Sequence, residues 1–297
     1  MTYNELWRQL TQVYDDYEAK AIARMVYEIR FGLMPSDLFI VKDTQLSTDN
    51  QELLAEIAQR LLTGEPVQYV LGEAEFGGRT FHVEPGVLIP RPETYELCQW
   101  ITKDRKLTKE DGENASILDI GTGSGCIACT LAADIPNTQV SAWDVSEEAL
   151  RIAAENAKRI GVKVNFEKRD ILDDMPTIYE RSCHELVTNL SRSCNKYDII
   201  VSNPPYICEK ERATMERNVL EHEPELALFV PDEDPLLFYR TIAHLAARVL
   251  KPEGTLYFEI NPIYVNEMQQ MLCDAGFSHT EVRNDQFGKQ RFTKSWQ

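Results

Sequence analysis

Ile117-Leu-Asp-Ile-Gly-Thr-Gly-Ser-Gly125 decides the fold: an apolar strand runs into three closely spaced glycines and then into a helix. Glycine lets backbone pass close to a ligand. In an α/β protein the place for such a loop is the carboxyl end of the first sheet strand. The spacing is G-x-G-x-G, whereas a dinucleotide fingerprint would need glycine at 126, where the chain has Cys126. A nucleoside therefore suits Gly121, Thr122, Gly123, Ser124 and Gly125 better than a pyrophosphate. A merely tight strand–helix turn would also explain them, so the neighbouring segments decide.

Around this loop the pattern alternates. Strands are predicted over 116–120, 139–143, 163–168, 197–202 and 255–260, with two more near 278–283 and 290–294. Helices are predicted from Gly125 and over 146–160, 235–250 and 262–275. Such alternation implies a largely parallel sheet covered by helices. Upstream, residues 1 to 64 read as helical, with Leu53, Leu54, Ile57, Leu61 and Leu62 on one face and Ala23, Val26 and Ile29 on another. Gly32 and Gly64 are the expected stops. Two short strands flank Gly77-Gly78, and Pro85, Pro90 and Pro92 punctuate the chain before a helix. The polar run 103–115 reads as a surface loop.

Three acidic or amide side chains fall at strand ends. Asp144, 23 residues after Gly121, can accept hydrogen bonds from both hydroxyls of a ribose. It can equally cap the next helix together with Ser146. Asp170 can accept from an adenine amino group while Ile171 covers the ring, or it is a solvated loop acid. The most specific signal is Asn203-Pro-Pro-Tyr206, which ends the strand Ile199-Ile-Val-Ser202. Pro204 and Pro205 fix the backbone and remove donors, leaving carbonyls to accept. An NH2 group on an sp2 carbon has two hydrogens to place. The Asn203 side-chain oxygen and the Pro204 carbonyl can take one each, and the Tyr206 face can stabilise developing positive charge.

The 297 residues carry 31 Lys+Arg against 48 Asp+Glu, a formal charge of -17. Such a surface repels phosphate backbones, so bulk nucleic-acid binding is not expected. No signal peptide and no apolar run of membrane-spanning length is present, which makes the cytoplasm the expected compartment. The seven cysteines are odd in number and scattered. Cys126-x-x-Cys129 lies inside the predicted helix after the glycine loop and reads as small helix residues, and the five histidines show no ligand spacing, so no metal is expected.

The glycine loop, Asp144 and Asn203-Pro-Pro-Tyr206 resemble class I methyltransferases that act on exocyclic or amide nitrogens. Further stretches are similar to the HemK/PrmC family, the protein-(glutamine-N5) methyltransferases of peptide chain release factors. They are Gly64-Glu-Pro-Val-Gln-Tyr69 with Gly72-x-x-x-Phe76, Leu88-Ile-Pro-Arg-Pro-Glu-Thr94, Glu223-Pro-x-x-Ala-Leu228 and the tail Asp285–Arg291. The likeness covers nearly the whole chain. It implies a class I S-adenosylmethionine-dependent fold, Rossmann-like with a mostly parallel seven-stranded sheet. A small N-terminal helical recognition domain (1–72) and a β-hairpin linker (73–91) would precede a catalytic domain (92–297).

The resemblance further implies S-adenosylmethionine as cofactor, S-adenosylhomocysteine as product, and a release factor as partner, methylated on the glutamine of a Gly-Gly-Gln motif. The cofactor would meet Gly121 to Gly125, Asp144, Asp170, Ile171 and Asn203. The glutamine would meet Asn203, Pro204, Pro205 and Tyr206, with Phe76, Arg91 and Glu93 walling the site. Asn203, Pro204 and Tyr206 would be catalytic. Methylation of adenine in nucleic acid, and a non-catalytic cofactor-binding adaptor, are the competing readings.

Three departures from the family pattern stand out. Tyr95 replaces a frequent second acid, an extra stretch runs near 177–195, and Asn261 follows Glu259-Ile260 where glycine is frequent. None of these is expected to touch the chemistry.

Overall fold

The computed structural model describes residues 1–34, 46–104, 114–173 and 197–297. The extra stretch at 177–195 and most of the 103–115 loop lie outside the described residues. The chain forms two compact units. The first comprises Met1–Ala74, Val83–Pro85 and Met215–Glu223; the second comprises Glu75–His82, Gly86–Thr214 and Pro224–Gln297. This contact grouping cuts the chain differently from the expected division at 72 and 91. Most of the hairpin groups with the larger unit, and a segment far along the chain groups with the smaller one. Non-local contact sets this division, and local composition carries no trace of it.

In the first unit, helices α1 (Tyr3–Leu10), α2 (Asp16–Phe31), α3 (Thr48–Leu62) and α4 (Val67–Leu71) enclose their own core. The starts of α1, α2 and α3 are fixed by side-chain caps: a capping box of Thr2 with Glu5, then Asp15, then Ser47. α2 ends on Gly32 in the left-handed conformation, φ 65°. The buried faces differ slightly from the expected ones. Ala58 replaces Leu53 in α3, and Ala19, Ile22 and Tyr27 replace Ile29 in α2; both displaced residues are exposed. A 3.6-residue period fixes the face only to within about one position, and the small alanines are what let neighbouring helices approach.

β1 (Glu73–Phe76) and β2 (Arg79–His82) form the hairpin, followed by α5 (Pro92–Thr102). In the second unit β3 (Ala115–Ile120), α6 (Cys126–Asp134), β4 (Thr138–Asp144), α7 (Glu147–Ile160) and β5 (Val164–Lys168) alternate as predicted. β6 (Tyr197–Ser202) follows, then a short parallel pair, β7 (Ile207–Cys208) with β8 (Phe229–Val230). α8 (Leu237–Val249), β9 (Leu250–Glu259), α9 (Val265–Asp274), β10 (His279–Asn284) and β11 (Gln290–Trp296) complete it.

The seven-stranded sheet has the order β10-β11-β9-β6-β3-β4-β5. β9, β6, β3, β4 and β5 pair in parallel, and β11 runs antiparallel to both of its neighbours. Side chains alternate between two covered faces. Ile117, Ile199, Val201 and Tyr257 pack with α5 and α6, while Leu118, Ile200, Leu256 and Phe258 pack with α8 and α9. Burial on both faces is why these strands are apolar almost without interruption.

Two glycines of the loop carry different constraints. Gly123 and Gly125 both have positive φ, 54° and 78°. A Cβ on Gly123 would meet no atom within 4 Å, whereas one on Gly125 would lie 3.0 Å from Ala153 Cβ and 3.2 Å from Ala153 Cα on α7. Gly123→Ala should therefore lose only the left-handed penalty, about 1–2 kcal/mol. Gly125→Ala should lose about 2–4 kcal/mol, because overpacking adds to it. Chemical denaturation of the two variants checks the ordering; equal losses would contradict it.

Candidate active site

The chain proceeds outward from β3 to β4 and β5, then returns to β6 on the other side of β3. At such a reversal the loops leaving adjacent strands part and open a crevice at their carboxyl ends. Ser202 Oγ donates to the Ile120 carbonyl (2.6 Å) and ties the two strand ends together there. The cavity above them measures about 390 Å³, within the range of small-ligand sites. Its wall includes Gly121, Thr122, Gly123 and Ser124 from the first loop, Asp144 from the second, Asp170 and Ile171 from the third, and Asn203, Pro204 and Pro205 from the fourth. Trp143, Ile127, Phe238 and Ile242 add apolar surface, and Arg91 adds a charge.

The glycine loop is pinned rather than floppy. The Gly121 and Thr122 N–H groups donate to the Trp143 carbonyl at 2.9 and 3.0 Å. From below, Asn156 Nδ2 donates to the Ser124 carbonyl (2.9 Å) and to the His82 carbonyl (2.9 Å), and its Oδ1 accepts from His82 N–H (2.6 Å). Asn156 is fully buried, so one amide locks the hairpin strand β2 to the loop. Asp144 accepts from Gly123 N–H on one oxygen (2.8 Å) and from Ser146 N–H on the other (2.9 Å). Each oxygen keeps a lone pair for a further donor. Burial raises its pKa, while those N–H groups pull it down. The helix cap itself is Ser146. Asp170 accepts from Leu172 N–H (2.9 Å) and stands with Ile171 at the cavity wall.

The Asn203-Pro-Pro-Tyr206 stretch leaves β6 against a network that the sequence reading missed. Asn203 Nδ2 donates to Thr94 Oγ1 (3.3 Å), and Thr94 Oγ1 donates to Glu259 Oε2 (2.7 Å). The Tyr206 hydroxyl donates to Glu259 Oε1 (3.1 Å), and Asn261 Nδ2 donates to the Tyr206 carbonyl (3.1 Å). Asn261, one of the three departures from the family pattern, thus holds the motif's backbone. Pairing of Ser202 with Phe258 brings Glu259 beside Asn203. The available signal was an acid ending the otherwise apolar run Leu256-Tyr-Phe258.

Not every expected residue reaches the cavity. Phe76 is 2% exposed and packs edge-on against Phe81 (5.8 Å) and Tyr95 (5.5 Å), so it is a core residue and no part of the wall. Its inward position on β1 gives a large ring no other place. Tyr95, the departure in place of an acid, belongs to the same aromatic group. Glu93 sits in the first turn of α5, where a carboxylate complements the helix dipole, and it is absent from the wall. Tyr206 is turned toward Glu259, outside the cavity lining. Cys126 and Cys129 are buried in α6, and burial pushes both thiols up to about 12, which disfavours thiolate chemistry.

Asp119, fully buried beneath the loop, accepts on Oδ2 from Thr122 Oγ1 (2.7 Å) and Ala128 N–H (3.2 Å), while Oδ1 finds no partner among the described residues. Burial above all pushes its pKa up to about 7. Since the folded value exceeds that of an unfolded aspartate, the contribution of Asp119 to stability is most favourable below the unfolded value and is lost as pH rises through about 7. Asp119→Asn abolishes this titration. Its stability relative to the unsubstituted protein should rise between pH 4 and pH 8, by at most about 4 kcal/mol. Thermal unfolding across that range checks it; a difference independent of pH would contradict the assignment.

Residues 111–295 match the methyltransferase domain family, and residues 4–72 match the PrmC N-terminal domain. The release factor glutamine methyltransferase of Bacteroides thetaiotaomicron is 45% identical over 284 residues, covering 96% of this chain and 95% of that one. That of Flavobacterium psychrophilum is 41% identical over 287 residues, covering 96% and 94%. Among solved structures, human methyltransferase 10 domain containing protein is similar in fold alone: 17% identity and a TM-score of 0.51, over 84% of this chain and 98% of that one. The sheet order and these matches give a class I methyltransferase fold, and the methyltransferase domain implies S-adenosylmethionine as donor. At such identity, sustained along almost the whole of both sequences, this chain belongs to the release factor glutamine methyltransferase family and is an enzyme.

Proposed function

We propose that this enzyme methylates the side-chain nitrogen of the glutamine in the Gly-Gly-Gln motif of a peptide chain release factor. The observation that carries the reading is the placing of Asn203 and Pro204 in one cavity with the glycine loop and Asp144. In this reading an amide acceptor site shares a wall with a nucleoside site, as group transfer between them requires.

S-adenosylmethionine, when bound, supplies an electrophilic methyl group on a sulfonium centre. Backbone at Gly121, Thr122, Gly123 and Ser124 would run along it, Gly125 giving the turn into α6 its shape. Asp144 would accept from the ribose hydroxyls, Asp170 from the adenine amino group, and Ile171 would cover the ring. Asn203 would border the methyl-bearing end. No metal has a role in this scheme.

The glutamine nitrogen is a poor nucleophile because its lone pair is delocalised into the carbonyl. Its two hydrogens would be held by Asn203 Oδ1 and the Pro204 carbonyl, which turns the nitrogen toward the methyl group and favours pyramidalisation. Pro205 stiffens the loop, and Tyr206 fixes its far end through Glu259 and Asn261. The proton leaves after transfer, when the nitrogen has become acidic, so no strong base is needed before attack. Arg91 would border the incoming peptide at the cavity wall. Phe76 and Glu93 have no direct part in the scheme. The N-terminal helical unit would recognise the release factor.

Asn203→Ala should lower methyl transfer to an unmodified release factor by about 100-fold or more, with cofactor affinity largely retained. Calorimetric cofactor titration beside a single-turnover assay measures both. Normal turnover in that variant would sink the mechanism, and transfer to adenine-bearing nucleic acid would overturn the substrate.

A further inference from the structure

The chain of hydrogen bonds behind Asn203 has a direction. Thr94 and Glu259 are each 2% exposed, so water does not substitute for their partners. A threonine hydroxyl has one hydrogen, and an ionised carboxylate accepts but cannot donate. The Thr94 hydrogen is committed to Glu259 Oε2 (2.7 Å), so Oγ1 presents only lone pairs to Asn203. Of the two ends of the Asn203 amide, only Nδ2 complements those lone pairs, and it is Nδ2 that faces Thr94 at 3.3 Å. Turning the amide over would set Oδ1 against an oxygen with no hydrogen to give. The polarity of the chain thus leaves Oδ1 as the end free to accept from a ligand.

We infer that Glu259 is a positioning residue: acting through Thr94, it sets which end of the Asn203 amide meets the acceptor nitrogen. The other orientation would oppose one NH2 group to another, donor against donor. The same carboxyl group takes the Tyr206 hydroxyl on its other oxygen, so one buried acid orients both ends of Asn203-Pro-Pro-Tyr206. Burial above all raises the pKa of Glu259; the Thr94 hydroxyl, Arg291 (itself tied to Asp285 at 3.3 Å) and the Tyr206 hydroxyl pull it back toward the carboxylate that both hydroxyls require. This gives the tail segment Asp285–Arg291 a purpose that its position in the sequence does not suggest. The inference rests on the reading that an NH2-bearing acceptor binds at Asn203.

The test compares the full-length protein with Glu259→Gln, Thr94→Val and Thr94→Ser. Glutamine keeps the size of Glu259 but can donate to Thr94 and so reverse the chain. Valine removes the relay, and serine retains it. Glu259→Gln and Thr94→Val should slow single-turnover transfer to the release factor about 10- to 100-fold, with cofactor affinity changed less than about threefold and Thr94→Ser close to the unsubstituted rate. Unslowed transfer in Thr94→Val would overturn the inference, and that pair of Thr94 variants still decides it should Glu259→Gln not fold. An unsubstituted protein that transfers nothing to the glutamine would instead remove the proposed substrate. The relay is then judged by side-chain amide exchange in NMR: the Asn203 NδH2 hydrogens should exchange slowly in the unsubstituted protein and faster in Thr94→Val. Equal exchange in the two proteins would overturn it whatever the substrate.

Discussion

The return of the chain from β5 to the opposite side of β3 governs everything built above the sheet. It parts the loops leaving β3 and β6, so the glycine loop and Asn203 face one cavity instead of packing side by side. Parallel pairing then fixes how far each strand reaches. Ile120 pairs with Ser202 and with Trp143, which ends the three strands at one level and brings Gly121, Asp144 and Asn203 to a common rim. With the apolar interior of the sheet covered on both faces, the polar groups of the site gather at that rim.

Three buried or half-buried acids stand at this rim, and each is handled differently. Asp144 is held by two backbone N–H groups, with lone pairs left over at the cavity wall. Glu259 is surrounded by hydroxyl donors and is backed by Arg291. Among the described residues Asp119 has two donors on one oxygen and none on the other, and burial pushes its pKa up to about 7. A carboxylate taken out of water is tolerated to the extent that donors replace its hydration, so the same residue type keeps acceptors open to the cavity, anchors neighbouring hydroxyls, or sits partly unsatisfied with a raised pKa.

Much of the fold was legible because its signals are local and repeated. Apolar runs of strand length alternated with helical stretches, and the glycine loop marked where β3 ends. The same locality explains what was missed. The grouping of 215–223 with the N-terminal helices depends on contacts between segments far apart in sequence. Phe76 reads the same in sequence whether it faces a cavity or a core, and only its contacts with Phe81 and Tyr95 decide. Asn203 could be singled out from the sequence because two prolines follow it, and it does stand at the cavity wall. Thr94 and Glu259 lie 109 residues before it and, by way of the β6–β9 register, on the neighbouring strand, so their hydrogen bonds could not be read from spacing.

The account stands or falls on where the methyl group goes. A release factor isolated without methylation would be incubated with the enzyme and methyl-labelled S-adenosylmethionine, beside a version whose Gly-Gly-Gln glutamine is replaced. The account predicts one methyl group, located by peptide mass spectrometry on that glutamine, and no label in the replaced version. Label that persists after the replacement, or appears only on nucleic acid, would contradict it.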